Sequence, residues 1–260
     1  MVLYCDAPNA RDDARMIELW LIDLEAAAPA LQALERDVPR LGADDRARAL
    51  RLDDAQERCQ RLAAYMGLRV VLERVGGVEV RGQKLVRGPA GKPRLAAGGP
   101  AFSLAHSGGM ALIGVVGTGA VGVDLEAPRP LRMSSRRREE IVAAGAGLAG
   151  RPHSEDPAGD EALLRAWCRL EAFAKARGEG LSHLLGELGL RKAGGRQLGG
   201  GQILAAARRL ARQAGLEAAD LKLPHGLYGA VAAAGLSQPP RLRRFPVGRE
   251  AICGMLSARG

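Results

Sequence analysis

Hydrophobic and polar positions along the chain predict a mixture of strands and helices. Residues 16–24 read MIELWLIDL and alternate like a strand. Leucines recur at helical spacing among arginines from about 44 to 74, which predicts one basic amphipathic helix. Alternation over 78–86 predicts another strand, and the turn-rich segment 88–93 follows it.

The segment 101–130 carries the clearest strand pattern in the chain. It predicts three short strands joined by a Gly-Gly turn and a Gly-Thr-Gly hairpin, at 101–105, 111–116 and 121–126. A basic helix is expected at 134–144, a linker at 145–160 and a long helix at 161–177 that stops at Gly178. Later patterns are weaker and predict strands at 184–191 and 227–234, a glycine-rich turn at 194–201 and a basic tail from 239.

Composition places the chain among folded globular proteins. It has 260 residues, of which 47% are hydrophobic, 26% charged and only 3% aromatic, so it is not a disordered chain. The formal net charge is +9, which favours an anionic partner. Nucleic acid, a membrane surface, a phosphorylated small molecule and an acidic protein all fit that charge.

Cysteine usage and hydropathy predict a soluble cytoplasmic protein. The four cysteines are widely scattered and have no zinc-type spacing, which is typical of reduced thiols. The most apolar long stretch, residues 110–123, is interrupted by glycines and is too short to span a membrane. Charged residues near the N-terminus are unlike a secretory signal, and we expect no membrane association.

The pattern GxGxxG occurs twice and raises the possibility of dinucleotide binding. The first match, Gly117–Gly122, follows an apolar strand, as in a nicotinamide-dependent oxidoreductase. That function requires a helix to begin at the glycines, whereas the next residues alternate and meet Pro128 and Pro130. The second match, residues 145–150, runs into a proline-containing loop and fits less well.

Paired acidic residues give a more specific indication. Asp124 and Glu126 are two apart on a predicted strand, so their side chains face the same side, roughly 7 Å apart. Glu171 and Lys175 are four apart on the helix predicted at 161–177 and share one of its faces. Oxygen ligands of this kind suit Mg²⁺ with phosphate, although an exposed strand end and a surface Glu–Lys pair have the same pattern.

Three motifs in this order resemble the signatures of Sfp-type 4′-phosphopantetheinyl transferases. They are AFSLAHSGG, VGVDLE and WCRLEAFAKARGEGL, and the separation of 45 positions from Glu126 to Glu171 suits the family. A Gly-Lys-Pro motif at 91–93 and the arginine-rich helix upstream add to the similarity. The resemblance covers roughly residues 45–235.

The resemblance implies a holo-[acyl-carrier-protein] synthase type of enzyme. Members transfer the 4′-phosphopantetheine group of coenzyme A to a serine of an acyl or peptidyl carrier protein and release adenosine 3′,5′-bisphosphate. The carriers serve fatty acid, polyketide or nonribosomal peptide synthesis. The alternatives are the oxidoreductase above and a non-catalytic nucleic-acid binder, although the scarcity of aromatic residues disfavours the latter.

The resemblance also implies an α/β (α+β) fold of two similar subdomains related by a pseudo-twofold. Each is an antiparallel sheet packed with a long helix, and we divide them at residues 1–125 and 126–260. We expect a monomer that binds coenzyme A and carrier proteins but no nucleic acid.

Carried over from the family, each site residue has an expected role. Asp124, Glu126 and Glu171 would bind Mg²⁺, with Mn²⁺ as an alternative, and Glu171 would also act as the catalytic base. Lys175 would be catalytic and contact the phosphate, and His106 would contact a coenzyme A phosphate. The nucleotide end would be met by Arg48 and Lys92.

Several positions depart from the family pattern. Leu170 stands where a lysine is usual, Ala105 where a serine is usual, and Gln60 at an arginine position of the upstream helix. Arg169 is adjacent to Leu170 but rotated by about 100° around the helix. These departures bear on coenzyme A binding rather than on the metal-binding carboxylates.

Overall fold

Two β-sheets, each packed against a long helix, organise the chain. The computed structural model describes residues 16–149, 159–190, 198–224, 226–236 and 240–257. No helix in these ranges is long and apolar enough to cross a membrane.

The first sheet and its helices come mainly from the N-terminal part of the chain. In order, the elements are β1 (Glu18–Asp23), α1 (Leu24–Asp37), α2 (Ala43–Leu50), α3 (Ala55–Gly76), a 3₁₀ turn (Val78–Val80), β2 (Leu85–Arg87), β3 (Pro93–Leu95), β4 (Ala101–Ser107) and β5 (Met110–Val116).

The second sheet and its helices follow. They are β6 (Val121–Glu126), α4 (Ser135–Leu148), α5 (Asp160–Arg177), α6 (Leu181–Glu187), α7 (Gly200–Ala214), β7 (Glu217–Asp220) and β8 (Tyr228–Ala233). The chain then returns to the first sheet with β9 (Arg241–Arg244) and ends in α8 (Arg249–Ser257).

Strand pairing confirms the predicted α+β class. The first sheet has the order β4-β5-β1-β9 and is antiparallel except for the parallel β1–β9 pair. The second has the order β6-β8-β7 and is antiparallel throughout. The long helices α3 and α5 pack against the first and second sheets, respectively. The pseudo-twofold and the division at residue 125 stay predictions, and β6 lies in the second sheet while β9 lies in the first.

The two sheets meet through β4 and β6. Apolar side chains of both form one shared cluster that includes Ala105, Val121 and Val123. Ser103 and Ser107 add polar links, because their hydroxyls accept hydrogen bonds of 3.0 Å from the backbone amides of Val123 and Ala127. The register between β4 and β6 is therefore fixed at both ends of the contact.

The predicted helix over 44–74 is two helices rather than one. α2 ends at Leu50, and α3 begins after Asp54, whose side chain accepts a hydrogen bond of 2.7 Å from the amide of Glu57. An N-cap of this kind satisfies an amide that has no partner within the helix. The leucine spacing continues on both sides of residues 51–54, so the sequence pattern does not show that the helix is interrupted there.

Two predicted strands are also wrong in type or extent. Residues 78–86 form the 3₁₀ turn and only the first part of β2. Residues 184–191 include most of α6 instead of a strand, because Leu184 and Leu188 are buried four residues apart. The strands predicted at 16–24, 101–105, 111–116, 121–126 and 227–234 are confirmed, as are the helices at 134–144 and 161–177.

Neither glycine motif opens a nucleotide-binding helix. Residues 145–148 belong to α4 rather than to the predicted linker, and the rest of that linker lies mostly outside the described residues. A Cβ at Gly145 would lie 2.6 Å from Cα of Ala166 in α5, and one at Gly147 would lie 2.5 Å from Cβ of Ala207 in α7. Both glycines therefore serve close helix packing. The turn predicted at 194–201 also falls largely outside the described residues, which resume at 198.

Gly122 has a comparable role at the strand that carries the acidic pair. It lies within β6, and the strand continues to Glu126, which excludes the predicted oxidoreductase arrangement. A Cβ at Gly122 would overlap the carbonyl oxygen of Ala172 and the backbone nitrogen of Ala176, both in α5. The absent side chain lets the backbones of β6 and α5 approach closely.

We predict that Gly122→Ala lowers the free energy of unfolding by roughly 3 kcal/mol, because the extra methyl group must push α5 away from β6. Urea denaturation measures the loss. Gly254→Ala is the matched control, since its Cβ would have no neighbour within 4 Å on α8, and a stabilisation of up to about 1 kcal/mol is expected there. Equal stability of Gly122→Ala and wild type would contradict this account of the packing.

Candidate active site

Alternation along β6 determines which of its side chains face α5. Val121, Val123 and Leu125 point into the cluster shared with β4 and β5. The intervening residues, Gly122 and Asp124, therefore face α5. Because α5 lies so close to this face, its own polar side chains meet the acidic ones of β6.

Asp124 and Lys175 form the central contact. The ammonium of Lys175 donates a hydrogen bond of 2.6 Å to Oδ1 of Asp124, which is buried. The second carboxylate oxygen, Oδ2, is buried and has no hydrogen-bond partner within the described ranges. Burial raises the pKa of Asp124 to about 6 against the opposing effect of Lys175, and the charges of Glu171 and Glu126 add to the rise.

Glu171 and Glu126 complete an acidic group around Asp124. Burial raises the pKa of Glu171, with Lys175 acting against the shift and Glu126 adding to it. Glu126 is more exposed and accepts hydrogen bonds of 3.2 and 3.4 Å from Arg129. The three carboxylates thus repel one another in a partly buried site that holds one lysine on the same side.

A different cluster brings ligand-type atoms closer together. Among the described residues, oxygen and nitrogen atoms of Glu179, His183 and Glu187 lie within 4.8 Å of one another, whereas those of the acidic group around Asp124 are more widely spaced. Arg177 forms ion pairs of 2.6 Å with both Glu179 and Glu187. His183 is 63% exposed, and this cluster is a surface ion-pair network.

His106 lies on β4 two residues beyond Leu104 and four beyond Phe102. Those two side chains pack into the core formed with α3, so alternation places His106 on the same face, toward the end of the strand. Burial, followed by the charges of Arg61 and Lys175, lowers the pKa of His106 to about 4. The imidazole is therefore neutral at pH 7.

Lys92 and Arg48 lie apart from the acidic group. The ammonium of Lys92 donates to the carbonyl oxygens of Val121 at 2.9 Å and Ala176 at 3.4 Å, and burial lowers its pKa to about 8. It thereby bridges the start of β6 and the end of α5. Arg48 is exposed on α2, beside a cleft of about 300 Å³ that Lys84 and Arg87 also line.

The unusual residues at 169 and 170 are both buried. Leu170 is fully buried in the core of the second sheet. Arg169 is also buried, and it donates a hydrogen bond of 2.7 Å to Asp220 on β7. Ala105 lies in the cluster between the sheets, and the side-chain nitrogen of Gln60 lies near the β4–β5 turn, 3.8 Å from where a Cβ of Gly109 would be.

Sequence reasoning did not identify three neighbours of this site. Arg129 pairs with Glu126, and Arg61 contributes to the potential at His106. Burial, with the charge of Asp124, raises the pKa of the Cys168 thiol, which therefore stays protonated. Only the arginine-rich character of α3 indicated Arg61, because helical spacing alone does not say which arginine turns inward. Cys59 and Cys253 are exposed free thiols.

We predict that Lys175→Met raises the pKa of Asp124 above its value of about 6, since Lys175 is the cation that lowers it. A carboxyl-carbon NMR titration of chelator-treated protein measures this shift. Lys222→Met removes an exposed lysine and should leave the Asp124 titration unchanged. An unaltered pKa in Lys175→Met would show that the ion pair does not persist in solution.

Comparisons with known proteins agree with this geometry. The family model of the 4′-phosphopantetheinyl transferase superfamily matches residues 120–203, the segment that contains Asp124, Glu126, Glu171 and Lys175. A putative 4′-phosphopantetheinyl transferase of Synechocystis sp. is 29% identical over 174 residues, which is 64% of this chain and 66% of that protein.

A second relative is more similar over a longer alignment. The 4′-phosphopantetheinyl transferase HetI of Nostoc sp. is 32% identical over 183 residues, covering 68% of this chain and 75% of that protein. The matched region spans both the glycine-containing strand β6 and the helix that packs on it. With that identity and coverage, the chain belongs to the 4′-phosphopantetheinyl transferase superfamily.

Proposed function

We propose that the protein transfers the 4′-phosphopantetheine group of coenzyme A to a serine of an acyl or peptidyl carrier protein, releasing adenosine 3′,5′-bisphosphate. The observation that carries the proposal is the acidic group of β6 and α5 with Lys175 bonded to Asp124. The Sfp-type subgroup, a monomeric state and a cytoplasmic location are parts of the same proposal.

The acidic group fits a hard divalent cation. Its donors are all carboxylate oxygens, and Oδ2 of Asp124 is buried with no hydrogen-bond partner. A buried oxygen of this kind normally requires a partner, and a cation would satisfy it. Asp124, Glu126 and Glu171 would hold Mg²⁺, and Mn²⁺ would accept the same ligands. The ion would neutralise charge on the diphosphate of coenzyme A.

Glu171 is suited to accept the proton of the carrier serine. Burial raises its pKa in the metal-free protein, whereas coordination to a cation would lower its basicity, which favours proton transfer through a water molecule. The serine oxygen then bonds to the phosphorus that carries pantetheine, and the bond from that phosphorus to the bridging oxygen breaks. The serine proton passes to Glu171 directly or through a water molecule.

Lys175 and His106 act on the phosphates. Lys175 is fixed by Asp124 and stabilises the charge that develops on the leaving adenosine bisphosphate. His106, which is neutral at pH 7 in the ligand-free protein, would donate one hydrogen bond to a phosphate oxygen.

The nucleotide end of coenzyme A fits the basic cleft beside α2. Arg48, Lys84 and Arg87 line it, and their charges suit the 3′-phosphate. The acids Asp44 and Asp45 also line this cleft, but Asp45 is held by Arg69 at 2.5 Å. Lys92 remains a candidate contact for the same end, although its ammonium also bridges two backbone carbonyls.

The net charge of +9 favours encounter with acidic carrier proteins. The arginine run at the start of α4 contributes less to this field than its sequence indicates. Arg136 and Arg137 both pair with Glu140, and Arg138 pairs with Asp160.

We predict that wild-type protein with coenzyme A and Mg²⁺ adds one phosphopantetheine group to an apo carrier protein, as seen by intact-mass spectrometry. Glu171→Gln should slow the transfer at least about 100-fold, because the base is lost. Glu161→Gln is the matched control on the same helix, where the carboxylate pairs only with Arg165 among the described residues and is 61% exposed.

Chelation of the divalent cation should abolish the mass gain, and added Mg²⁺ should restore it. No mass gain with carriers of fatty acid, polyketide and peptide synthesis would reject the proposed reaction. Full activity of Glu171→Gln would retain the reaction and remove Glu171 as its base.

A further inference from the structure

Arg61 on α3 is a partly buried cation with no counter-ion among the residues that the structure describes. Its Nε atom is buried without a hydrogen-bond partner. In the part of the chain that the structure describes, no hydrogen bond or ion pair of Arg61 is found. Other buried arginines of this protein are held by carboxylates: Arg40 by Glu73, Arg69 by Asp45 and Arg169 by Asp220.

A buried Nε atom without a hydrogen-bond partner is costly for the folded protein. Removing a charged donor from water without replacing its hydrogen bonds destabilises the native state. A buried donor without a partner requires an explanation, and a ligand that supplies the missing acceptor is one. The question is therefore which ligand reaches Arg61.

The surroundings of Arg61 place it at the proposed active site. The neighbouring side chain of Gln60 reaches the β4–β5 turn at Gly109. His106, just before this turn, lies on the face of β4 that packs against α3. The charges of Arg61 and Lys175 both act on His106, and that of Arg61 has the larger effect on its pKa. His106 is therefore near enough to a cation from α3 and to a cation from α5 for both to lower its pKa.

The other residues around the proposed diphosphate site supply little positive charge. Arg169 is bound to Asp220, and Leu170 is buried in the core. The ammonium of Lys175 is shared with Asp124, and His106 is neutral at pH 7. With Mg²⁺ held by the three carboxylates, the charges of the ion and of Lys175 only offset those of the carboxylates, so the two negative charges of a diphosphate need a further cation.

We propose that Arg61 binds the diphosphate of coenzyme A. It would do so from α3, which packs on the first sheet, whereas Lys175 acts from α5 on the second. A guanidinium group presents several N–H donors in one plane and matches phosphate oxygens. The buried Nε donor gains a partner only when the diphosphate is present. This inference rests on the proposed function, because coenzyme A is the substrate that brings the diphosphate.

Isothermal titration with coenzyme A and Mg²⁺ tests the proposal. Arg61→Ala should raise the Kd roughly 10- to 100-fold, which corresponds to losing hydrogen bonds to a charged group. The Kd of Arg61→Lys should lie between those of wild type and Arg61→Ala, since lysine retains the charge but lacks the planar set of N–H donors. Arg209→Ala removes an exposed arginine of α7 and should bind like wild type, which controls for net charge.

Dephospho-coenzyme A identifies the phosphate that Arg61 contacts. This ligand retains the diphosphate and lacks the 3′-phosphate. We expect Arg61→Ala to raise the Kd of both ligands by the same factor. A loss seen with coenzyme A and absent with dephospho-coenzyme A would assign Arg61 to the 3′-phosphate and overturn the proposal.

Thermal unfolding without ligand separates binding from folding. Because Nε has no partner to lose, Arg61→Ala should melt at or above the wild-type temperature. A lower melting temperature would show a structural role and contradict the proposal, as would unchanged coenzyme A affinity. If wild type does not bind coenzyme A, the proposed function itself fails, and this outcome is distinct from a variant that binds normally.

Discussion

The close approach of α5 to β6 is the constraint on which the site depends. Gly122 permits it, because any larger residue would collide with the backbone of the helix. With the two backbones this close, Asp124 and Lys175 meet at 2.6 Å. A wider separation would leave the carboxylates of β6 in solvent with ordinary pKa values. Their contacts with α5 would then be weak. The local chemistry thus follows from a packing requirement two residues away.

Buried ion pairs hold the elements that frame this contact. Arg169 joins α5 to β7, Arg69 joins α3 to Asp45 on α2, and Arg40 joins Glu73 to the α1–α2 connection. Such pairs contribute little net stability, because desolvation offsets most of their attraction. Their geometry is nevertheless demanding, since breaking one leaves a buried charge unpaired. Each pair therefore fixes how a helix lies relative to its neighbour.

The sequence predicted the parts of the fold that local patterns determine. Alternation in β6 correctly placed Asp124 and Glu126 on a strand, and helical spacing placed Glu171 and Lys175 on one face of α5. Prediction from the sequence failed where the same apolar residues fit both the strand and the helix periodicity. Leu184 and Leu188 fit both an alternating strand and a helical face, and only the core decides between them. The break at Asp54 was hidden because leucines continued with the same spacing on both sides.

Residues that depend on tertiary contacts were beyond the same reasoning. The inward turn of Arg61, the carbonyl contacts of Lys92 and the burial of Arg169 each require knowledge of which elements pack together. Glycines were misread for the same reason. Residues 145 and 147 suggested a loop, whereas their lack of side chains serves helix contacts that only the folded chain contains.

The electrostatic balance of the site explains why its groups are arranged across two sheets. Burial, with a smaller contribution from repulsion among the three carboxylates, raises the pKa values of Asp124 and Glu171. Lys175 offsets only part of this rise, and a second lysine on the same helix face would compete with a metal ion for the carboxylates. A cation placed on α3 avoids this competition. It can act on a phosphate from the opposite side and leave the carboxylates available for the cation that they suit.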